Sequence, residues 1–280
     1  MPTGDNFFET MSVTVNGRVA RIVFDNPPMN LLDARMFNDL DRLGRWLERQ
    51  DSIGVVVFES ADPDFFIAHA DLSMLESMPR LDPEAISGPS LHQAIVDRFR
   101  TLPQLTIGKI RGIARGGGSE FLLALDLRYG AEGRAVLGQP EITLGFPPGC
   151  GATQRLPKLM GRANAFEAIV GGLDYTATEA ARMGWINRAV PDEGLDDFVE
   201  KMVTLVASRP PLTIAQAKHA INSATGPLEK GLQEEFAAFL RSFQTEQAIS
   251  RLNQAMAAGF QTRELERGCL NEWSLALIDK

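Results

Sequence analysis

Two carboxylates, Glu120 and Glu141, stand 21 positions apart in stretches otherwise poor in charge. The first lies in IARGGGSEFLLALDL (113–127), behind three glycines and a serine; the second lies in LGQPEITLGFPPGCGATQRLPKLMG (137–161), dense in Gly and Pro. A carboxylate among apolar residues is costly to bury without a task or a partner. Two acids in such settings, brought together by a turn, can hold raised and mutually separated pKa values, which general acid–base work near neutral pH requires. A plainer use exists for Glu120, since an acid in the first turn of a helix is favoured by the helix dipole. The glycines allow close approach of the backbone to a ligand and leave the first helical amides without internal partners. GxxxxGK[ST] is absent and GGGSEF lacks the third glycine of GxGxxG, so neither nucleotide fingerprint is met. GGSEF is not GxSxG, which argues against Ser119 as a hydrolase nucleophile. What remains is either a tight helix–strand contact or an oxyanion hole, each donor of which contributes roughly 3 kcal/mol to the barrier. An oxyanion hole needs a second donor.

The elements that must position these groups are legible as an α/β pattern. SVTVNGRVARIVF (12–24) places Asn16-Gly17 between two alternating segments, a hairpin signal. Leu32, Met36, Leu40, Leu43 and Leu47 recur at helical spacing and predict an amphipathic helix. IGVVVFES (53–60) reads as a buried strand and QLTIGKIRGIA (104–114) as a later one. The β-β-α-β order implies a sheet covered by helices. Between them, SMPRLDPEAISGPSLHQ (77–93) has three prolines and little periodicity, an irregular excursion of the kind that covers a site. Beyond about residue 200 helix formers dominate, and Pro210-Pro211 in SRPPL (208–212) cannot sit inside a helix. The division expected is a core with the active site over 1–205 and a C-terminal helical region over 206–280 that docks or oligomerises.

Composition narrows the function. A chain of 280 residues with 44% hydrophobic content can bury a substantial core. A net charge of −8 without basic blocks argues against nucleic acid as a partner. Cys150 and Cys269 have no CxxC spacing, so neither a disulfide framework nor a metal site is indicated. No leader pattern or apolar run of spanning length is visible, so no membrane association and a cytoplasmic location are expected.

The block RGIARGGGSEFLLALDLRYGAEGRAVLGQPEITLGFPPGCGATQRLPKLMGRANAFEAIVGG resembles the signature of the crotonase superfamily, the enoyl-CoA hydratase/isomerase family. GGGxE, GQPE and LGxxPGxGGTQRL are matched together at their spacings. FFIAHADLSML (65–75) sits where members carry an F-x-A-G-A-D-L segment, and ATEAARMGWINRAVP (177–191) is similar to another family passage. The similarity covers roughly residues 10–225. It implies a crotonase-like (ClpP/crotonase) spiral of β-β-α units with a C-terminal helical part that builds homotrimers, often paired into dimers of trimers. It implies an acyl-CoA thioester as substrate, with no separate cofactor, since coenzyme A is part of the substrate. The two oxyanion donors fall on the backbone amides of Ala70 and Gly117. Glu120 would orient and help deprotonate the water that attacks Cβ, and Glu141 would deliver the proton to Cα. Ala68, His69, Asp71, Leu72, Gly116 and Gly149 fall at substrate-binding positions. The activity implied is reversible hydration of a 2-enoyl-CoA. The alternatives are an isomerase or hydratase/lyase working through the same enolate, or a non-catalytic homologue.

The sequence also departs from the family pattern. His69 replaces the glycine before the first oxyanion residue; it reads either as an added acid, base or donor or as a packing or loop-anchoring residue, and the second is expected. His92 and His219 read as ordinary histidines. Ser73 stands where many members have Lys, and the frequent F-x-x-K-R appears only as GFQTR with Phe260 and Arg263. Phosphates need cationic partners, and Arg115, Arg263 and Arg35 are the candidates. Arg155, Asp126 and Arg128 are expected in structural ion pairs, and Cys150 in inert packing.

Overall fold

Asn16 and Val19 face one another at the end of an antiparallel ladder that starts with Met11 opposite Phe24. The two-residue loop is therefore Gly17-Arg18, one position later than the Asn16-Gly17 reading, with Gly17 at φ +57°. In the computed structural model, residues 7–209, 211–223 and 243–268 are described, together with Glu229, Gln233, Phe236, Ala237, Phe239 and Leu240.

The hairpin is β1 (Met11–Asn16) and β2 (Val19–Phe24). Helix α1 (Ala34–Leu47) follows, started by Asp33, whose carboxylate accepts from the amide of Met36 at 2.8 Å. Met36, Leu40, Leu43 and Leu47 are buried along one face, as their spacing predicts. Leu32 lies outside the helix and forms an isolated parallel bridge with Ala70. Next come β3 (Val55–Ser60), β4 (Phe65–Ile67), α2 (Leu72–Glu76) and α3 (Leu91–Thr101). The stretch 104–114, read from sequence as one strand, is two: β5 (Leu105–Ile110) and β6 (Ile113–Arg115), in different sheets. The break is at Gly112, φ +80°, where a Cβ would lie 2.3 Å from the backbone carbonyl of Asp64. Only glycine fits both the positive φ and that approach.

The chain continues through α4 (Gly117–Ala124), β7 (Leu127–Ala131), β8 (Val136–Gly138), a 3-10 turn (Pro140–Leu144) and α5 (Ala152–Gly171), which is kinked at Gly161. Then follow β9 (Asp174–Thr176), α6 (Ala177–Met183), β10 (Arg188–Val190) and α7 (Leu195–Ala207). The remaining labelled helices are α8 (Pro211–Ser223), α9 (Glu246–Ala257) and α10 (Arg263–Arg267).

Each turn of the spiral gives one strand to each of two sheets. The larger has the order β1-β2-β3-β5-β7-β10 and the smaller β4-β6-β8-β9. From β2 to β10 the larger sheet is parallel, as is the β4-β6-β8 part of the smaller one. This is the α/β spiral of β-β-α units expected, with a helical C-terminal region. Between the layers Phe121 meets Phe24, Phe58 and Phe99 edge-on, with centroids 5.2 to 5.7 Å apart. All four are fully buried, and losing one such ring typically costs about 3–5 kcal/mol. Phe121 is thus the anchor that fixes α4, and with it the preceding Glu120. A second apolar cluster joins Leu72, Leu144 and Phe146 to Phe239, Phe243, Ala248, Leu252 and Phe260, so C-terminal residues pack over α2 and the 3-10 turn.

Candidate active site

Three parallel strands bring the chemistry together. Phe65 pairs with Ile113 and Ile67 with Ala114, so the chain leaves β4 and β6 side by side, toward Ala70 and Gly117. Arg115 pairs with Gly138, so β8 ends alongside and leads through Gln139-Pro140 to Glu141. Carboxyl ends of parallel strands are the usual place for a site in such folds. Leu32 consumes the hydrogen bonds on either side of Ala70: its amide donates to the carbonyl of His69 at 2.9 Å, and its carbonyl accepts from Asp71 at 3.2 Å. In a trans peptide the N–H points opposite to its carbonyl, so the Ala70 amide is turned away from Leu32.

The glycine triplet has a separate reason at each position. Gly116 is at φ +47°, and a Cβ there would lie 2.9 Å from Glu141 Oε1. One on Gly117 would lie 3.4 Å from the amide nitrogen of Ala70. One on Gly118 would lie 2.2 Å from the carbonyl oxygen of Ile67, so α4 packs on the backbone of β4. The tight contact read from the sequence is therefore present, and Gly116 brings no side chain to cap the first amides of α4.

Glu120 is buried, and its Oε1 accepts from the amides of Cys150 at 2.7 Å and Ala152 at 3.0 Å. These amides form the N-terminal end of α5, where an anion is favoured. Burial nonetheless dominates and pushes the Glu120 carboxyl above its ordinary value, against the amides and the charge of Arg155. Glu141 is the second residue of the 3-10 turn and is half-buried. With its amide nitrogen turned toward Glu141, Gln139 lies 3.2 Å from both carboxylate oxygens and accepts from Ser119 at 3.1 Å.

One cavity takes in Ala70, Gly117, Glu120, Glu141 and Gly149. Its other walls are mostly apolar, including Leu32, Phe37, Met74, Leu75, Phe146, Phe236 and Phe239, with Cys150 beside Gly149. Phe236 and Phe239 come from the segment reserved by sequence for oligomerisation. Met78, Ser90 and His92 come from the 77–93 excursion, which is tied down where Gln244 exchanges two hydrogen bonds with the backbone of Leu81. His92, read as an ordinary histidine, lies against Phe37 with ring centroids 4.1 Å apart on the cavity wall, and burial pushes its pKa down. No sequence signal distinguished it.

The other positions lie off the cavity wall. Ala68 is fully buried, Leu72 belongs to the C-terminal cluster and Gly116 backs Glu141. Asp71 caps α2, accepting from the amide of Ser73 at 2.9 Å. His69 is turned away from the cavity toward Glu266, 2.6 Å from Nε2 to Oε1. Of the three phosphate-binding candidates, Arg115 is corrected: it is buried in a two-point pair with Asp174, at 2.8 and 2.7 Å, and is closed to a ligand. Arg263 pairs with Asp62 and Asp64; Arg35 pairs with Asp33 at 3.1 Å and donates to Asn26 at 2.7 Å, but its side chain stays 54% exposed. Arg155 pairs with Asp97, and Asp126 with Lys218. Arg128 instead donates to the carbonyls of Leu122, Leu125 and Trp185. Cys150 is buried, and Cys269 lies outside the described residues. Among the described residues there is no cluster of three potential metal ligands, and no helix is long and apolar enough to cross a membrane.

Comparison with known proteins agrees with this geometry. Residues 14–261 match the family model described as enoyl-CoA hydratase/isomerase. The chain is 34% identical over 238 residues to YngF of Bacillus subtilis, covering 85% of this chain and 86% of that protein. It is 29% identical over 252 residues to the short-chain-enoyl-CoA hydratase of Clostridium acetobutylicum, covering 89% and 94%. A crystal structure from Streptomyces avermitilis superposes with a TM-score of 0.86 at 37% identity, covering 95% and 96% of the two chains. That of an enoyl-CoA hydratase from Bacillus anthracis gives 0.71 at 31%, covering 89% and 96%. With the spiral, the cavity and the family match in agreement, this chain belongs to the enoyl-CoA hydratase/isomerase family.

Proposed function

We propose that the chain hydrates a 2-enoyl-CoA reversibly to the 3-hydroxyacyl-CoA. The observation that carries this reading is that both acids, Glu120 and Glu141, open on the same cavity as Ala70 and Gly117. The thioester carbonyl accepts hydrogen bonds from the amides of Ala70 and Gly117, which stabilise the enolate oxyanion as it forms. Water adds to Cβ and gives its proton to the Glu120 carboxylate. The acid form of Glu141 gives a proton to Cα, and exchange with solvent resets the pair. Gln139 and the α5 amides hold the two acids in position. The reaction balances with water and the thioester alone, so no metal or redox cofactor is required.

Arg35, the most exposed of the three candidate arginines, is the proposed contact to a CoA phosphate. We also read the chain as a homotrimer or a dimer of trimers. Supporting this, α5, α7 and α8 present Phe166, Val170, Leu205, Leu212 and Ile221 at 50–71% exposure; mass in solution tests it.

The activity test follows the loss of conjugated thioester absorbance with crotonyl-CoA and longer enoyl-CoAs. Hydration that falls by orders of magnitude in both Glu120→Gln and Glu141→Gln supports the reading. Silence at every chain length overturns it. A Glu120→Gln protein of unchanged activity turns it toward isomerisation by Glu141.

A further inference from the structure

Outside the reacting centre, a buried polar cluster is built on Glu266, which is 1% exposed on α10. Its Oε1 meets His69 Nε2 at 2.6 Å and accepts from the amide of Gln261 at 2.9 Å. Arg115 Nη1 donates to its Oε2 at 3.3 Å and to its backbone carbonyl at 2.9 Å. His69 and Arg115 are themselves 3% and 1% exposed. Burial opposes the Glu266 charge, yet the neighbouring His69 and Arg115 hold its carboxyl below the ordinary value.

The two partners of Glu266 stand at particular places. His69 directly precedes Ala70, and Arg115 lies two residues before Gly117 on the paired strand. The C-terminal segment also grips the other flank of Ala70, since Gln261 Nε2 donates to Asp71 Oδ1 at 2.8 Å. Phe260 lies against the His69 ring, with centroids 4.8 Å apart. His69 Nδ1 is 2.8 Å from the carbonyl of Ala70, so both ring nitrogens face oxygen acceptors and the imidazole has no freedom to turn. One carboxylate, 197 positions from His69 and 151 from Arg115, thus clamps the residues just before both proposed donor amides.

We propose that Glu266 is a positioning residue for the oxyanion hole, acting through His69 and Arg115, so that the hole is aligned only while the 259–268 segment is docked. The inference rests on the hydratase reading, which assigns the hole to Ala70 and Gly117. Misplacing a donor weakens transition-state binding more than ground-state binding. The effect should therefore fall on kcat and on polarisation of the thioester rather than on CoA affinity.

The experiment uses the full-length protein and a conjugated cinnamoyl-CoA thioester, whose absorbance shifts to the red when its carbonyl oxygen accepts strong hydrogen bonds. In Glu266→Ala the shift is expected to be lost and kcat with an enoyl-CoA to fall at least tenfold, below the roughly 10²–10³-fold that deleting one donor costs. The Kd for a saturated acyl-CoA should stay within twofold. Glu266→Gln, which keeps an acceptor oxygen for His69 and Gln261, should restore most of the shift. His69→Phe keeps the ring packing on Phe260 without the bond to Glu266 and serves where Glu266→Ala does not fold; it should lose the shift in the same way. A wild-type shift that survives intact in folded Glu266→Ala or in His69→Phe overturns this inference alone. A wild-type protein that binds the thioester with no shift overturns the oxyanion-hole reading, and the inference with it.

Discussion

The Cβ that Gly117 lacks would sit 3.4 Å from the amide nitrogen of Ala70 and 3.3 Å from its Cβ. On the proposed mechanism the thioester oxygen enters between these two residues, and a side chain at residue 117 would narrow that space, also lying 3.1 Å from Leu32 Cδ2. Gly117 is not at positive φ, so alanine brings crowding without backbone strain. Gly117→Ala is expected to keep the melting temperature within a few degrees and to lower kcat/KM by about a hundredfold, the typical cost of one donor. Steady-state hydration kinetics beside a thermal melt check it; full activity would mean that the oxyanion forms elsewhere.

Burial raises the Glu120 carboxyl above its ordinary 4.5. The native state then holds this proton to higher pH than the unfolded chain, so its contribution to stability is greatest below the unfolded value and is lost as pH rises through the native one. Glu120→Gln, which never ionises, is expected to melt above wild type near neutral pH, with the advantage shrinking on acidification through the carboxyl range. Calorimetry across that range reads the difference, and a gap that does not vary with pH contradicts the assignment. If Glu120 is the ionised base of the proposed mechanism, the acid limb of kcat/KM in wild type should lie above 4.5.

Arg128 is buried, and burial lowers its guanidinium to about 10. It donates to the carbonyls of Leu122 and Leu125 at 3.2 and 2.6 Å, closing the C-terminal end of the helix that carries Glu120. Arg128→Met strands these acceptors together with that of Trp185 at 3.1 Å. A loss of about 3 kcal/mol is expected by denaturant titration, since each unpaired buried group costs about 1–3. A change below about 0.5 kcal/mol, typical of an exposed site, would contradict a structural role.

Arg115 is buried in its pairs with Asp174 and Glu266, and Arg263 is held by two carboxylates, Asp62 and Asp64; Arg35, paired with Asp33 alone and 54% exposed, is the test of phosphate recognition. Arg35→Ala is expected to raise KM for an enoyl-CoA by about tenfold, the scale of one charge-assisted hydrogen bond. The kcat should be unchanged, because the contact is uniform between ground and transition states. An unaltered KM would remove Arg35 from the binding site.

Sequence by itself determined the parts whose physics is local. The Asn-Gly signal, the spacing from Met36 to Leu47 and the proline pair after α7 each constrain a few neighbouring residues, and each led to an element within a position or two of the real one. The carboxylates were legible because an acid in an apolar run is expensive, and the triplet because three consecutive glycines leave a bare backbone on which a strand or a ligand can close. Tertiary structure decided what depends on remote backbone. Residues 104–114 carry one continuous β-rich pattern, and nothing within it announces that Asp64 leaves no room for a side chain at Gly112. Arg115 stood among three candidates for the phosphates, and only the fold shows it held by Asp174 and Glu266. Phe236, Phe239 and His92 became cavity walls only once the C-terminal segment and the 77–93 excursion folded over α2. His69 drew its partner from nearly 200 positions away, and a charge so buried is settled by the group it meets, which spacing along a chain does not encode.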